Sequence, residues 1–169
     1  VTGVQTCALP ISISRGLAGF AARVPESVRR HGGHCIYAGA DDLLALLPVE
    51  HAFDCANHLR QEFTRASTDW HAPASLSVGI GISHILTPLG VQRRVALDAI
   101  KMAKGREERV LNARKNALGV VLNLRGGGDI RWRARWNETP DPVTRLCAWI
   151  EAFRQDRLPG GLAYELRSA

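Results

Sequence analysis

An α+β fold is what this sequence predicts, and three observations predict it. The 169 residues are 46% hydrophobic and 22% charged, which suits one globular domain with a real core and excludes a mainly disordered chain. Apolar residues recur with a helical period in some segments and alternate with a strand period in others. The segments follow one another as helix, hairpin, helix, strand, helix, strand, which is a ferredoxin-like βαββαβ order whose first strand lies upstream of Ser12.

The elements follow in chain order. Residues 1–11 carry no charge and no clear period, match a translated sequencing-library adapter, and are set aside as an artefact. From Ser12, the spacing of Ile13, Leu17, Phe20, Val24 and Val28 predicts a helix with one buried face, kinked at Pro25 and ended by Gly32 and Gly33. His34 to Ala38 and Leu43 to Val49 read as two strands joined through Gly39-Ala40-Asp41-Asp42. Ala52, Ala56, Leu59 and Phe63 mark a second helix after Pro48. Between Ser75 and Ser83, Leu76, Val78, Ile80 and Ile82 alternate with Ser77, Gly79, Gly81 and Ser83, so one strand face is apolar and the other nearly bare. A third helix from about Val91 to Arg106 turns Val95, Ala99, Met102 and Ala103 inward, and Leu118, Val120, Leu122 and Leu124 form the next strand. After Gly126-Gly127-Gly128, Ile130, Trp132, Ala134 and Trp136 alternate with three arginines. Asp141-Pro142 then caps a helix with Val143, Leu146, Ile150 and Phe153 inward. The order makes the upstream strand central, between the hairpin and the strand after the second helix, so that without it two half-sheets with open edges are expected.

Composition narrows the function classes. The net charge of +6 favours an anionic partner such as nucleotide or nucleic acid. No apolar stretch approaches the roughly 20 residues of a membrane span, so no membrane partner is expected. Cys7, Cys35, Cys55 and Cys147 form no CxxC pair, which suggests neither a zinc site nor a disulfide framework and fits a cytoplasmic chain.

The hairpin turn carries the chemistry. Two adjacent carboxylates, Asp41 and Asp42, held at a rigid turn can bind a divalent metal beside a triphosphate. The same four residues also suit an ordinary solvent-exposed turn. The flanking residues favour the first reading: Ile36-Tyr-Ala-Gly-Ala-Asp-Asp-Leu-Leu-Ala-Leu-Leu-Pro48, Ser75-Leu-Ser-Val-Gly-Ile-Gly-Ile-Ser-His84, Thr87-Pro-Leu89 and Ala103-Lys104 resemble the large palm-domain subunit of type III CRISPR effector complexes, most closely its Cmr branch.

That resemblance implies a second palm domain, related to GGDEF nucleotidyl cyclases, over residues 12–128. A basic strand and the start of a C-terminal helical domain would follow over 129–169. It implies antiviral defence by synthesis of cyclic oligoadenylate from ATP with Mg2+ or Mn2+, triggered when a complex of other subunits and guide RNA binds target RNA. Asp41 and Asp42 would be the metal and catalytic carboxylates, and Gly39, Ala40, Ser77 and Lys104 would meet the nucleotide. Ala40 stands where the family has its second glycine, and a methyl group there costs about 1 kcal/mol if the turn needs a positive φ. A degenerate palm kept as a scaffold and target-RNA sensor is therefore the alternative, and a GGDEF-type diguanylate cyclase is a weaker one.

Other residues admit two readings. Lys104 suits triphosphate oxygens or plain solvent on a helix. The bare face of Ser77, Gly79 and Gly81 suits a nucleotide or, better, a close-packed helix. His84 reads as structural, and His31-Gly-Gly-His34 has poor metal geometry. From Arg93 to Arg135 twelve basic residues face four acidic ones, a stretch suited to phosphates or RNA as well as to a solvated face.

Overall fold

The computed structural model describes residues 5–39, 42–68, 70, 74–105, 114–125 and 127–159. The first helix, α1 (Gln5–Arg30), begins before Ser12 and runs unbroken through Pro25. Pro25 lies on the exposed side, where water can take the carbonyl that its missing N–H leaves unbonded. Phe20, Val24 and Val28 are buried, as their spacing predicts. They pack on α2 (Val49–Ala66), whose inward residues are Ala52, Cys55, Ala56, Leu59 and Phe63. Aromatic edges close this seam: Phe20 meets Phe63 at 5.3 Å and Phe63 meets Trp70 at 5.7 Å, both T-shaped. The buried Ser27 hydroxyl donates to Glu62 Oε2 at 2.8 Å, tying the two helices by a polar contact as well.

Between them lies the hairpin of β1 (His34–Ala38) and β2 (Leu43–Leu46). The second strand stops short of Val49 because Pro48 already starts α2. Cys35 pairs with Ala45 and Tyr37 with Leu44, so Ile36 is an extra residue, a β-bulge. Cys35, Ala38, Leu43 and Ala45 face the α1–α2 core.

The other sheet has three strands in the order β3 (Val78–Ile82), β4 (Ala117–Asn123), β5 (Asp129–Arg135). β3 and β4 are parallel and β5 is antiparallel to β4. The parallel pair is linked by α3 (Leu89–Lys104), which ends on Gly105 at φ 57°, a left-handed position that glycine adopts without penalty. α3 lies on the bare sheet face: a Cβ at Gly79 would come 2.6 Å from Ile100 Cα, and one at Gly81 2.6 Å from Ala96 N. Gly79 and Gly81 therefore serve helix packing. The opposite face carries Val78, Ile80, Leu118, Val120, Trp132 and Trp136 onto α2 and the start of the last helix. Both tryptophans of β5 and its end thus belong to the core, with Trp136 2% exposed.

The last helix, α4 (Pro142–Arg154), is capped as predicted: Asp141 Oδ1 accepts from Val143 N and Thr144 N at 3.1 and 3.2 Å. Its apolar face departs from expectation. Val143 is buried, but Ile150 and Phe153 are 41% and 38% exposed, because only the first turn reaches the core among the described residues.

The two sheets do not pair with each other. This is the division into half-sheets that the element order leads to. A gap between the β2 edge and the β3 edge is floored by α1 and α2 and roofed by α3. No helix among the described residues is long and apolar enough to cross a membrane.

Candidate functional site

The site is assembled from two ends of the fold. The hairpin register pairs Ala38 with Leu43, and the Gly39 N–H donates to the Asp42 carbonyl at 2.8 Å. Only residues 40 and 41 separate these two, and Ala40 and Asp41 lie outside the described residues. Cross-strand partners share a face, so Tyr37, Gly39, Asp42 and Leu44 stand together on the side of the hairpin away from Cys35, Ala38, Leu43 and Ala45.

Asp42, Gly39 and Tyr37 line one end of a cavity of about 510 Å³, and Ser77, Arg93 and Lys104 line it too. The strand starts, Leu43 and Val78, and the C-terminal half of α3 are at this end; the strand ends and the N-terminal half of α3 line a second cavity of about 500 Å³. β2 and β3 therefore run in the same direction on either side of the gap. Of the sequence-predicted residues, Gly39, Asp42, Ser77 and Lys104 are brought to one cavity.

Each is placed by a simple local cause. Asp42 closes the hairpin turn through its backbone, which leaves its carboxylate exposed and, among the described residues, without a hydrogen bond or ion pair. Ser77 precedes β3 on the same face as Gly79 and Gly81, toward α3. Lys104 is the last residue of α3 and half-buried, with its carbonyl held by Lys115 N at 3.2 Å. An acid and a base thus share a cavity while remaining unpaired among the described residues, a combination whose chemistry suits a ligand bearing metal and phosphate.

A divalent cation fits the chemistry of this donor set. Mg2+ keeps several waters and is commonly bound by one or two carboxylates together with substrate phosphates, and Asp42 supplies an uncommitted carboxylate at an open mouth. No group of three or more His, Cys, Asp or Glu that could hold a metal by itself is found among the described residues. His84 Nδ1 accepts from Leu86 N at 3.1 Å, and His31 Nδ1 bonds the Ser27 carbonyl at 2.7 Å, both local structural contacts.

Burial, with Glu62 adding to it, pushes the Cys55 thiol up to about 11, an inert buried group. Within the basic stretch, Lys101 pairs with Asp98 at 3.6 Å and Arg131 with Asp129 at 3.7 Å, both cations remaining exposed.

Sequence reasoning missed Tyr37, Arg93, Leu97 and Ile100 as cavity residues. The last three and Lys104 fall at positions i, i+4, i+7 and i+11 of α3, so a second helical stripe was readable. Tyr37 depends on the bulge, for which a five-residue strand gives no periodic signal.

Comparison with known proteins gives concordant matches. Residues 5–117 match the family described as Cas10/Cmr2, second palm domain. The CRISPR system Cmr subunit Cmr2 of Pyrococcus furiosus is 33% identical over 127 residues, covering 72% of this chain and 15% of that protein. The Cmr2 subunit of Saccharolobus solfataricus is 40% identical over 65 residues, covering 38% of this chain and 6% of that protein. The chain thus spans a small fraction of the length of these relatives.

Proposed function

The chain belongs to the Cas10/Cmr2 second-palm family, and from that premise we propose that it is the catalytic palm of a type III CRISPR effector complex, acting in antiviral defence. Its reaction is nucleotidyl transfer that makes cyclic oligoadenylate from ATP when the guide-RNA complex, built with other subunits, binds target RNA. The observation that carries this reading is the convergence of Gly39, Asp42, Ser77 and Lys104 on one cavity from opposite sides of the gap.

The ribose hydroxyl of one nucleotide attacks the α-phosphorus of a second. A new oxygen–phosphorus bond forms, the bond to the bridging oxygen of pyrophosphate breaks, and the hydroxyl proton passes to solvent. Asp42, with Asp41, would hold Mg2+ or Mn2+, and that cation would activate the hydroxyl and neutralise the leaving group. Lys104 draws in and orients the triphosphate as a flexible point charge. Ser77 offers a hydroxyl to the same oxygens.

The test is Asp41→Ala/Asp42→Ala in the intact large subunit within its assembled complex. Loss of labelled product from ATP with assembly preserved is expected, because an exposed turn contributes little to packing. Unchanged yield overturns the assignment, and product from GTP in place of ATP points to a diguanylate cyclase. Ala40, in the place of the family's second glycine, favours a second reading, a palm retained as scaffold and sensor. An inactive wild type that gains product on Ala40→Gly would support it.

A further inference from the structure

Tyr37 has a placement that the reaction described above does not use. A strand that alternated regularly from Cys35 would turn residue 37 into the α1–α2 core. The bulge at Ile36 reverses that parity and puts Tyr37 on the open face with Gly39 and Asp42. Tyr37 is 57% exposed, an unusual setting for a large aromatic residue within a strand. Its hydroxyl has no hydrogen-bond partner among the described residues.

Gly39 supplies the second observation. Its φ lies outside the left-handed region, so the backbone does not require glycine there. The phenol is its nearest neighbour: a Cβ at Gly39 would fall 2.6 Å from Tyr37 Cζ and closer still to the hydroxyl, so the ring leans over Gly39. The ring then stands at the turn end of the cavity, the end that Asp42 and Lys104 share.

We propose that Tyr37 is the stacking platform for the base of a nucleoside triphosphate in this cavity, an inference that rests on the proposed nucleotidyl transfer. With Tyr37, Asp42 and Lys104 lining one cavity, phosphates lie between Asp42 and Lys104 and the base lies against the phenol. Stacking on an aromatic face is tolerant of base identity, so Tyr37 supplies affinity and leaves base choice to other groups.

The experiment measures the Kd of a non-hydrolysable ATP analogue with Mg2+ for the intact assembled complex, alongside product formation from ATP. Tyr37→Leu is expected to weaken binding about tenfold, for ATP and GTP analogues alike, while Tyr37→Phe and Tyr37→Trp stay within about twofold. A merely structural tyrosine would lower the thermal stability of the complex in the Leu variant and leave the Kd unchanged. An unchanged Kd for Tyr37→Leu, or an equal loss in the Phe variant, overturns the proposal. The two readings fail separately: a wild type that binds the analogue and makes no product contradicts the transfer reaction alone. A wild type that makes product while Tyr37→Leu binds normally contradicts the platform alone.

Discussion

The two sheets are built from similar strands and are covered differently. β3 and β4 are packed on both faces, α3 lying directly on the backbone at Gly79 and Gly81 while α2 and the start of α4 cover the other side. The β1–β2 hairpin is packed on one face only, by α1 and α2, and its other face carries Tyr37, Gly39, Asp42 and Leu44 into an open cavity. Side chains on these two doubly covered strands are committed to packing. Those on the open face of the hairpin are free to meet a ligand, and the cation that complements them, Lys104, is delivered by the helix of the rigid half. The candidate site is thus the place where coverage ends.

The sharpest way to break this comparison is to make the same change in both halves. Gly79→Ala pushes a methyl group against the Ile100 backbone, which cannot move without shifting α3, and should destabilise the intact subunit by about 1–3 kcal/mol. Gly39→Ala meets only the far end of the Tyr37 side chain, which can swing into solvent, and should change stability by less than about 0.5 kcal/mol. Thermal unfolding of the two variants checks both. Equal losses would mean that the hairpin turn is as closely packed as the α3 seam.

A smaller effect concerns the end of the three-stranded half. Burial raises the Asp141 carboxyl, but hydrogen bonds from the Thr144 hydroxyl and the Thr144 and Val143 N–H groups outweigh it and lower its pKa. A depressed folded-state pKa means that the cap stabilises above the ordinary carboxylate range, and that its contribution disappears as pH falls through the folded value. Asp141→Ala should therefore cost about 1 kcal/mol at neutral pH, and the difference from wild type should shrink in acid. Melting curves across pH measure this, and a difference that grows in acid would contradict the cap.

Much of this was legible in the sequence, for reasons that the residues make plain. The i, i+4, i+8 spacing of Phe20, Val24 and Val28 and the alternation at Val78, Ile80 and Ile82 are direct signatures of one buried face. The bare stretch at Gly79 and Gly81 correctly reads as room for a helix. Periodicity states which residues share a face and is silent on whether anything covers it, which is why Ile150 and Phe153 are exposed where burial was expected. The bulge at Ile36 was hidden because one extra residue in a short strand leaves no pattern. Of the site, the Gly39, Asp42, Ser77 and Lys104 positions were legible as motif residues, while Tyr37 and Arg93 became visible only once the two halves were set beside each other.

The central claim is that the two halves act on one nucleotide, and a double-mutant cycle tests it most directly. Asp42→Asn, Lys104→Met and the double variant are compared for kcat/KM with ATP in the assembled complex. Groups that hold the same ligand through a shared metal and phosphate should be non-additive, with an interaction of about 0.5–3 kcal/mol. Strictly additive losses, or no loss from Lys104→Met, would contradict the account and separate the hairpin from α3 as parts of one site.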